Sequence, residues 1–146
     1  MEAEVVGFVF LLGKESYYIP VAHDYLDAPD QLSRHKVLDS LKPILENKSI
    51  GKVGQNLKYD AHVLANTDIN LNGIIDDTML KSYCLDSVAT RHNMDDLSEH
   101  YLGHQTIHYA DVAGSGKNQL SFNQVSIEEA MPYACEDVIV TNELNN

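Results

Sequence analysis

The chain has 146 residues, a mass of 16.3 kDa and a formal charge of −12, which arises from 22 acidic and 10 basic side chains. This length suits one domain with its own core, and a hydrophobic fraction of 44% excludes a disordered or collagen-like chain. The acidic balance argues against wrapping of a phosphate backbone by a broad basic face, but it allows a small acidic site that reaches phosphates through metal ions.

Hydrophobic patterning predicts an α/β domain whose strands lie in the first half of the chain. Four strands are predicted, over residues 5–12, 16–21, 52–55 and 73–76. Five helices are predicted, over residues 31–46, 57–66, 77–85, 94–102 and from 127 onward. Asp30, Asn56 and Ser126 are the expected helix caps, and Glu129 completes a capping box with Ser126.

The length of the apolar runs and the number of cysteines indicate the cellular compartment and whether the chain contacts a membrane. No segment approaches the roughly 20 apolar residues of a membrane span, so no membrane partner is expected. Cys84 and Cys135 lie in apolar, helix-like segments and fit no zinc spacing. We interpret both as reduced core thiols of a cytoplasmic protein.

Two short runs pair a carboxylate with a polar or aromatic side chain at helical spacing. Asn56 and Asp60 are four residues apart in GQNLKYD, and Tyr133 and Asp137 are four apart in YACED. Such pairs lie on one face of a helix. Hard divalent cations need oxygen ligands that converge from different elements, and a phenol beside a carboxylate can orient a metal-bound water. Taken alone, each pair is better explained by a structural role: a helix cap and a solvated aspartate for the first, a core tyrosine and a surface aspartate for the second.

These runs resemble the second and third motifs of the 3'-5' exonucleases that use four acidic residues. Further segments resemble, in order, the proofreading domains of the bacterial DNA polymerase I family. The resembling segments are IPVAHDYLDAPDQL, KVGQNLKYD, DDTML, SVATRHNMDDL, GKNQLSFNQV and EEAMPYACED. The resemblance covers nearly the whole chain.

The resemblance implies a ribonuclease H-like mixed sheet flanked by helices, and 3'-terminal hydrolysis of DNA by two divalent cations, Mg²⁺ or Mn²⁺. It implies that Asp60 and Asp137 bind metal and that Tyr133 orients the attacking water. Gln55, Asn56, Tyr59, Arg91 and Tyr109 would line the groove for a single-stranded 3' end. The implied partners are that DNA end and a polymerase domain of the same parent chain.

The first motif of that family, an Asp-x-Glu on a central strand, has no counterpart in residues 1–146. Glu2-Ala3-Glu4 is rejected because it abuts the next strand and no apolar strand surrounds it. We therefore expect residues 1–146 to form a partial exonuclease domain that lacks its central strand and is inactive alone. We also expect a gap between the strands at 5–12 and 52–55, or an intermolecular contact there.

Two other functions remain open at this stage. One is a non-catalytic, vestigial exonuclease-like module that supports a polymerase domain, which the absent first motif favours. The other is an oligoribonuclease-like RNA exonuclease, which the Asp-rich loop after IPVAHDYL fits less well.

Overall fold

The computed structural model describes residues 3–146. Glu2 of the rejected acidic pair lies outside the described residues. Its neighbour Glu4 forms an ion pair with Arg34, in which Nη1 and Oε2 are 3.2 Å apart. An exposed pair of this kind contributes little to stability.

The strands form two separate two-stranded sheets. In the first sheet, β1 (Gly7–Leu12) pairs antiparallel with β2 (Glu15–Pro20). In the second sheet, β3 (Lys52–Gly54) pairs in parallel with β4 (Ile74–Asp77). Within residues 3–146 no ladder joins β1 to β3, so the expected gap between these two strands is present. β1 is half-buried along most of its length.

Six α-helices surround these sheets in the described part of the chain. They are α1 (Arg34–Leu45), α2 (Leu57–Ala65), α3 (Thr78–Leu85), α4 (Met94–Leu97), α5 (Tyr109–Ala113) and α6 (Ile127–Asn145). The helix predicted over 94–102 changes at Ser98 into a π-helical turn, Ser98–Leu102. No helix within residues 3–146 is both long and apolar enough to cross a membrane.

Helix α1 begins three residues later than predicted, and Asp30 does not cap it. The side chain of Gln31 explains the delay. Its Oε1 accepts from the backbone N–H of His23, and its Nε2 donates to the carbonyl of His23, both at 2.8 Å. These two bonds hold Gln31 against a distant loop, and the helix starts after it.

Helix α6 packs against both sheets and connects them. It contacts β1 and β2 of the first sheet and β3 of the second. Its buried residues include Ala130 and Ala134, which are four apart and small enough to let the helix backbone approach the strands closely. Ser126 caps the helix as predicted, since its Oγ accepts from the backbone N–H of Glu129 at 3.3 Å.

Buried apolar residues form two clusters. Leu45, Leu64 and Ile69 pack beneath the aromatic rings of β1. Ala113, Val125 and Ala130 pack beside β2 and the C-terminal helix. Both cysteines are free thiols; Cys84 is exposed and Cys135 is half-buried, so the prediction of two core thiols is wrong for Cys84.

A buried histidine links the second cluster to the first sheet. The His23 Nδ1 lies 2.8 Å from the carbonyl oxygen of Val125, and its Nε2 lies 2.6 Å from the hydroxyl of Tyr18. Since a carbonyl can only accept, Nδ1 carries the proton and Nε2 accepts from Tyr18. Burial lowers the pKa of His23 below its ordinary value of 6.5, although the bond to Val125 opposes this shift.

Substitution His23→Gln tests this buried contact. In the wild type, the stabilisation from neutral His23 is complete above pH 6.5 and decreases as the pH falls through its lowered pKa, because the unfolded chain takes up the proton first. We expect H23Q to lose about 1–3 kcal/mol at pH 8, because the partners of His23 lose hydrogen bonds. The difference in unfolding free energy between wild type and H23Q should shrink from pH 8 to pH 5 in urea titrations. A difference independent of pH would contradict this account, and the exposed variant His35→Gln is the control.

Candidate active site

Helix α2 carries the first pair of predicted site residues. Asn56 precedes the helix in the left-handed conformation, with φ of +58°, and its side chain makes no capping bond. The cap comes instead from a different strand. One carboxylate oxygen of Asp77 accepts from the backbone N–H of Asn56 at 3.1 Å, and the other accepts from Leu57 at 2.8 Å. Asn56 therefore occupies the N-cap position of α2 as predicted, but its own side chain does not supply the capping bond.

Asp60 lies one turn into α2, beside the exposed ring of Tyr59. The Asp60 side chain is exposed to solvent, although many protein atoms lie around it. Desolvation is the main cause that raises the pKa of Asp60 to about 6, and the nearby charge of Asp77 adds to it. A carboxylate with a raised pKa is one that a nearby cation would stabilise.

Helix α6 carries the second pair. Tyr133 and Asp137 are both half-buried and lie one turn apart. Desolvation raises the pKa of Asp137 to about 7, with further contributions from the charges of Asp95 and Glu136. Burial and the charge of Asp137 also raise the pKa of the Tyr133 phenol. The phenol is thus protonated at neutral pH and able to donate a hydrogen bond.

The two acidic neighbours of Asp137 are themselves bonded by the segment 104–108. Glu136 accepts from the backbone N–H of Ile107 at 2.6 Å and lies 2.8 Å from Nε2 of His104. Asp95 has two partners in the same segment, Thr106 Oγ1 at 2.6 Å and His108 Nδ1 at 2.9 Å. The bond and charge of Asp95 raise the pKa of His108.

The residues predicted to contact DNA fall into different environments. Gln55 is held within the chain, since its Nε2 donates to the carbonyl of His92 at 3.0 Å and its Oε1 accepts from Thr78. The Arg91 side chain is 87% exposed, with its Nε 3.3 Å from Asp96. The Tyr109 ring lies 6.1 Å from the ring of Tyr133, so these two predicted residues do come together.

The acidic side chains form two separate neighbourhoods. The charge of Asp77 raises the pKa of Asp60, whereas the charges of Asp95 and Glu136 raise the pKa of Asp137. Within residues 3–146, no group of three or more His, Cys, Asp or Glu side chains converges on a point that could hold a metal ion. The oxygen donors of Asp60 and Asp137 fit Mg²⁺ or Mn²⁺ by their chemistry, and their raised pKa values fit the nearby binding of positive charge.

Three residues near the site were not predicted as part of it. Asp95 and Glu136 lie beside Asp137 through tertiary contacts that no local spacing indicates. Asp77 carried two signals: it lies in the resembling segment DDTML, at a family position near the cleft, and it lies directly before a helix, where aspartate is a favoured cap. Nothing in the sequence indicates that the same carboxylate also caps α2.

Comparison with known proteins identifies the class. Residues 4–146 match the family model described as a 3'-5' exonuclease, and the chain belongs to this family, whose fold is ribonuclease H-like. The relatives are named DNA polymerase I. The protein from Pseudomonas aeruginosa is 53% identical and that from Rhizobium leguminosarum 41% identical, each over 99% of this chain. The chain spans 16% of the length of each.

A solved structure shares the fold. It is described as the POL domain of Pol1 from M. smegmatis in complex with DNA primer-template and dNTP. Its TM-score is 0.59 at 18% identity, over 89% of this chain and 18% of that one. Together with the family match, this confirms the predicted family and fold class.

Substitution Asp137→Asn tests the electrostatics of the second pair. At pH 8 the wild-type side chain is charged in both the folded and unfolded states, and desolvation penalises the folded state; the neutral amide avoids this penalty. We expect D137N to be more stable than wild type by on the order of 2 kcal/mol at pH 8. The difference should decrease as the pH falls from about 7 toward the ordinary value of 3.8, because the folded carboxyl becomes protonated.

Urea unfolding at pH 8, 6 and 4 measures this difference, with the exposed variant Asp30→Asn as the control. A D137N protein that is less stable than wild type at pH 8 would contradict a desolvated, unbalanced carboxylate.

Proposed function

We propose that this chain is the 3'-5' proofreading exonuclease domain of a DNA polymerase, and that in the intact protein it hydrolyses 3'-terminal nucleotides of DNA. The observation that carries the proposal is the family match over residues 4–146, together with the carboxylates of Asp60 and Asp137. Of the hydrogen bonds and ion pairs between residues 3–146, none joins either carboxylate to another residue, and Asp60 contacts only its own backbone N–H, so both are available to a ligand. The proposed cellular compartment is the cytoplasm.

Asp137 and Asp60 would each hold one of two divalent cations, Mg²⁺ or Mn²⁺. When bound, such ions supply Lewis acidity toward the phosphate and lower the pKa of water. Tyr133 lies one turn before Asp137 and keeps its proton at neutral pH, so its hydroxyl orients a water by hydrogen bonding and does not act as a base.

A single-stranded 3' end fits the exposed side chains near these carboxylates. Tyr59 is 59% exposed beside Asp60 and offers a ring face on which a base can stack. Tyr109 and the backbone around Asn56 extend the contact surface, Arg91 offers a cation to a phosphate, and the second N–H of Gln55 remains for a base edge. A charge of −12 makes the bound segment short, since few cations face the phosphates.

A second candidate is a non-catalytic module that packs against a polymerase domain of the same parent chain. Two observations favour it. The acidic residues of 3–146 form two neighbourhoods without a converging third ligand, and the ladder is interrupted between β1 and β3.

We expect the 146-residue chain by itself to degrade single-stranded DNA negligibly, even with Mn²⁺. Two carboxylates provide too little negative charge, and no bridging ligand, for two adjacent dications. The measurement is release of nucleotides from a 3'-labelled oligonucleotide, with Asp137→Ala as the matched background. Robust digestion that D137A abolishes would show that another side chain completes the metal set.

The reading frame upstream of Met1 distinguishes the two candidates. An in-frame strand with Asp-x-Glu would complete the site, and we expect the extended protein to digest 3' ends. D137A should reduce this activity to background, and Tyr133→Phe should reduce it by about 100-fold through misplacement of the water. An extended protein that folds but does not digest DNA would establish the non-catalytic module.

A further inference from the structure

The carboxylate of Asp77 joins the starts of two helices. Its Oδ1 accepts from the backbone N–H groups of Asn56 at 3.1 Å, Met79 at 3.0 Å and Leu80 at 3.3 Å. Its Oδ2 accepts from Leu57 alone, at 2.8 Å. The residue is 8% exposed, so these bonds are shielded from water. One side chain therefore satisfies the first donors of both α2 and α3, which otherwise lack partners.

The parallel sheet explains why one residue can reach both helices. In the β3–β4 register Gly54 lies opposite Asp77, so both strands end at the same edge and both helices begin there. Thr78 strengthens the junction, because its hydroxyl donates to the side-chain oxygen of Gln55 and lies 3.3 Å from the carbonyl oxygen of Gly54. The turn from β3 into α2 is thus attached to α3 by side chains of two successive residues.

The hydrogen bond from Asn56 to Asp77 also stabilises a strained backbone conformation. Asn56 is one of four non-glycine residues in the described chain with positive φ, and no side-chain bond of its own stabilises this conformation. The N–H of Asn56 donates to Asp77 instead. The direction in which α2 leaves the sheet, and with it the position of Asp60 one turn later, depends on this conformation.

We propose that Asp77 is a positioning residue for the exonuclease site: by bonding Asn56 and Leu57 it fixes the orientation of α2 relative to α3 and thereby places Asp60. The inference rests on the proposed function for the role of Asp60 as a metal ligand. The attachment of α2 to α3 is independent of that role and is tested separately.

Substitution Asp77→Asn should keep three of the four hydrogen bonds and remove one. The amide oxygen takes the Oδ1 position and keeps three donors, because the opposite orientation would place an NH₂ group against all three. The NH₂ group then faces the N–H of Leu57, and that bond is lost. Asp76→Asn is the matched control, since Asp76 is the preceding residue and its described side-chain partner is Lys81.

Amide hydrogen exchange and residual dipolar couplings of the 146-residue chain measure the attachment. In D77N we expect the Leu57 amide to exchange at least about tenfold faster, with Met79 and Leu80 within about threefold of wild type. The dipolar couplings of α2 should indicate a changed angle to α3, whereas D76N should match the wild type in both measurements. Unchanged Leu57 exchange or an unchanged angle in D77N would overturn the proposal.

If D77N does not fold, Asp77→Ser answers the same question. A serine still caps α3, because it accepts from N2 or N3 of its own helix, but it is too short to reach Leu57. The expected result is again faster exchange at Leu57 and a changed α2 angle with α3 intact. A wild-type pattern in D77S would overturn the proposal.

Mn²⁺ broadening of backbone amide signals connects the attachment to the site. Weak binding that is insufficient for catalysis still broadens nearby amide signals, so in the wild type we expect broadening near Asp60 and Asp137. In D77N we expect it to decrease near Asp60 and to persist near Asp137. Equal broadening at both in D77N would refute a positioning role for Asp77. If wild type shows broadening at neither residue, the metal part of the proposed function fails, and the exchange and angle measurements still decide whether Asp77 orients α2.

Discussion

Helix α6 is the constraint on which the fold depends, because it contacts both sheets and no ladder within residues 3–146 connects them. A β-sheet normally transmits position from strand to strand through backbone hydrogen bonds. Here β1 and β3 are related through side chains packed on one helix. Ala130 and Ala134 keep the helix close to the strands, and Tyr133 and Asp137 lie on the adjacent face of the same turns. The packing that holds the two sheets together therefore also places the second pair of site residues.

The fold separates its acidic side chains into two groups. Asp77, Asp95 and Glu136 each accept bonds from backbone or side-chain donors within the chain. Asp60 and Asp137 do not, apart from the contact of Asp60 with its own backbone N–H, and both have raised pKa values. A bonded carboxylate is stable as an anion without a ligand, whereas an unbonded and desolvated one is not. The first group builds the structure, and the second is the pair that we propose to hold cations.

Patterns local in sequence predicted the fold well, and contacts across the fold caused the errors. The apolar run of β1 and the Ser126 cap of α6 each depend on a few neighbouring residues, and both were predicted. β1 begins two residues later than predicted, and α6 begins at the predicted residue. The predicted start of α1 was three residues early because the side chain of Gln31 bonds to His23. The start of α2 was right, but its capping carboxylate, Asp77, was not predicted because it reaches Leu57 from another element. The wrong prediction that Cys84 is a core thiol has a similar cause, since an apolar segment is buried only where another element covers it.

The same distinction applies to the candidate site. Spacing of four residues within a helix singled out Asp60, Tyr133 and Asp137 as candidates, and the family resemblance supplied their predicted roles. It could not reveal that Glu136, directly before Asp137, is bonded to His104 and Ile107. This bond matters for the chemistry. With Glu136 held by segment 104–108, its charge stays close to Asp137 and raises the pKa of that carboxyl, but its oxygens are occupied. Of Glu136 and Asp137, Asp137 is then the residue that an approaching cation stabilises more, since the cation offsets both the desolvation of Asp137 and the repulsion from Glu136.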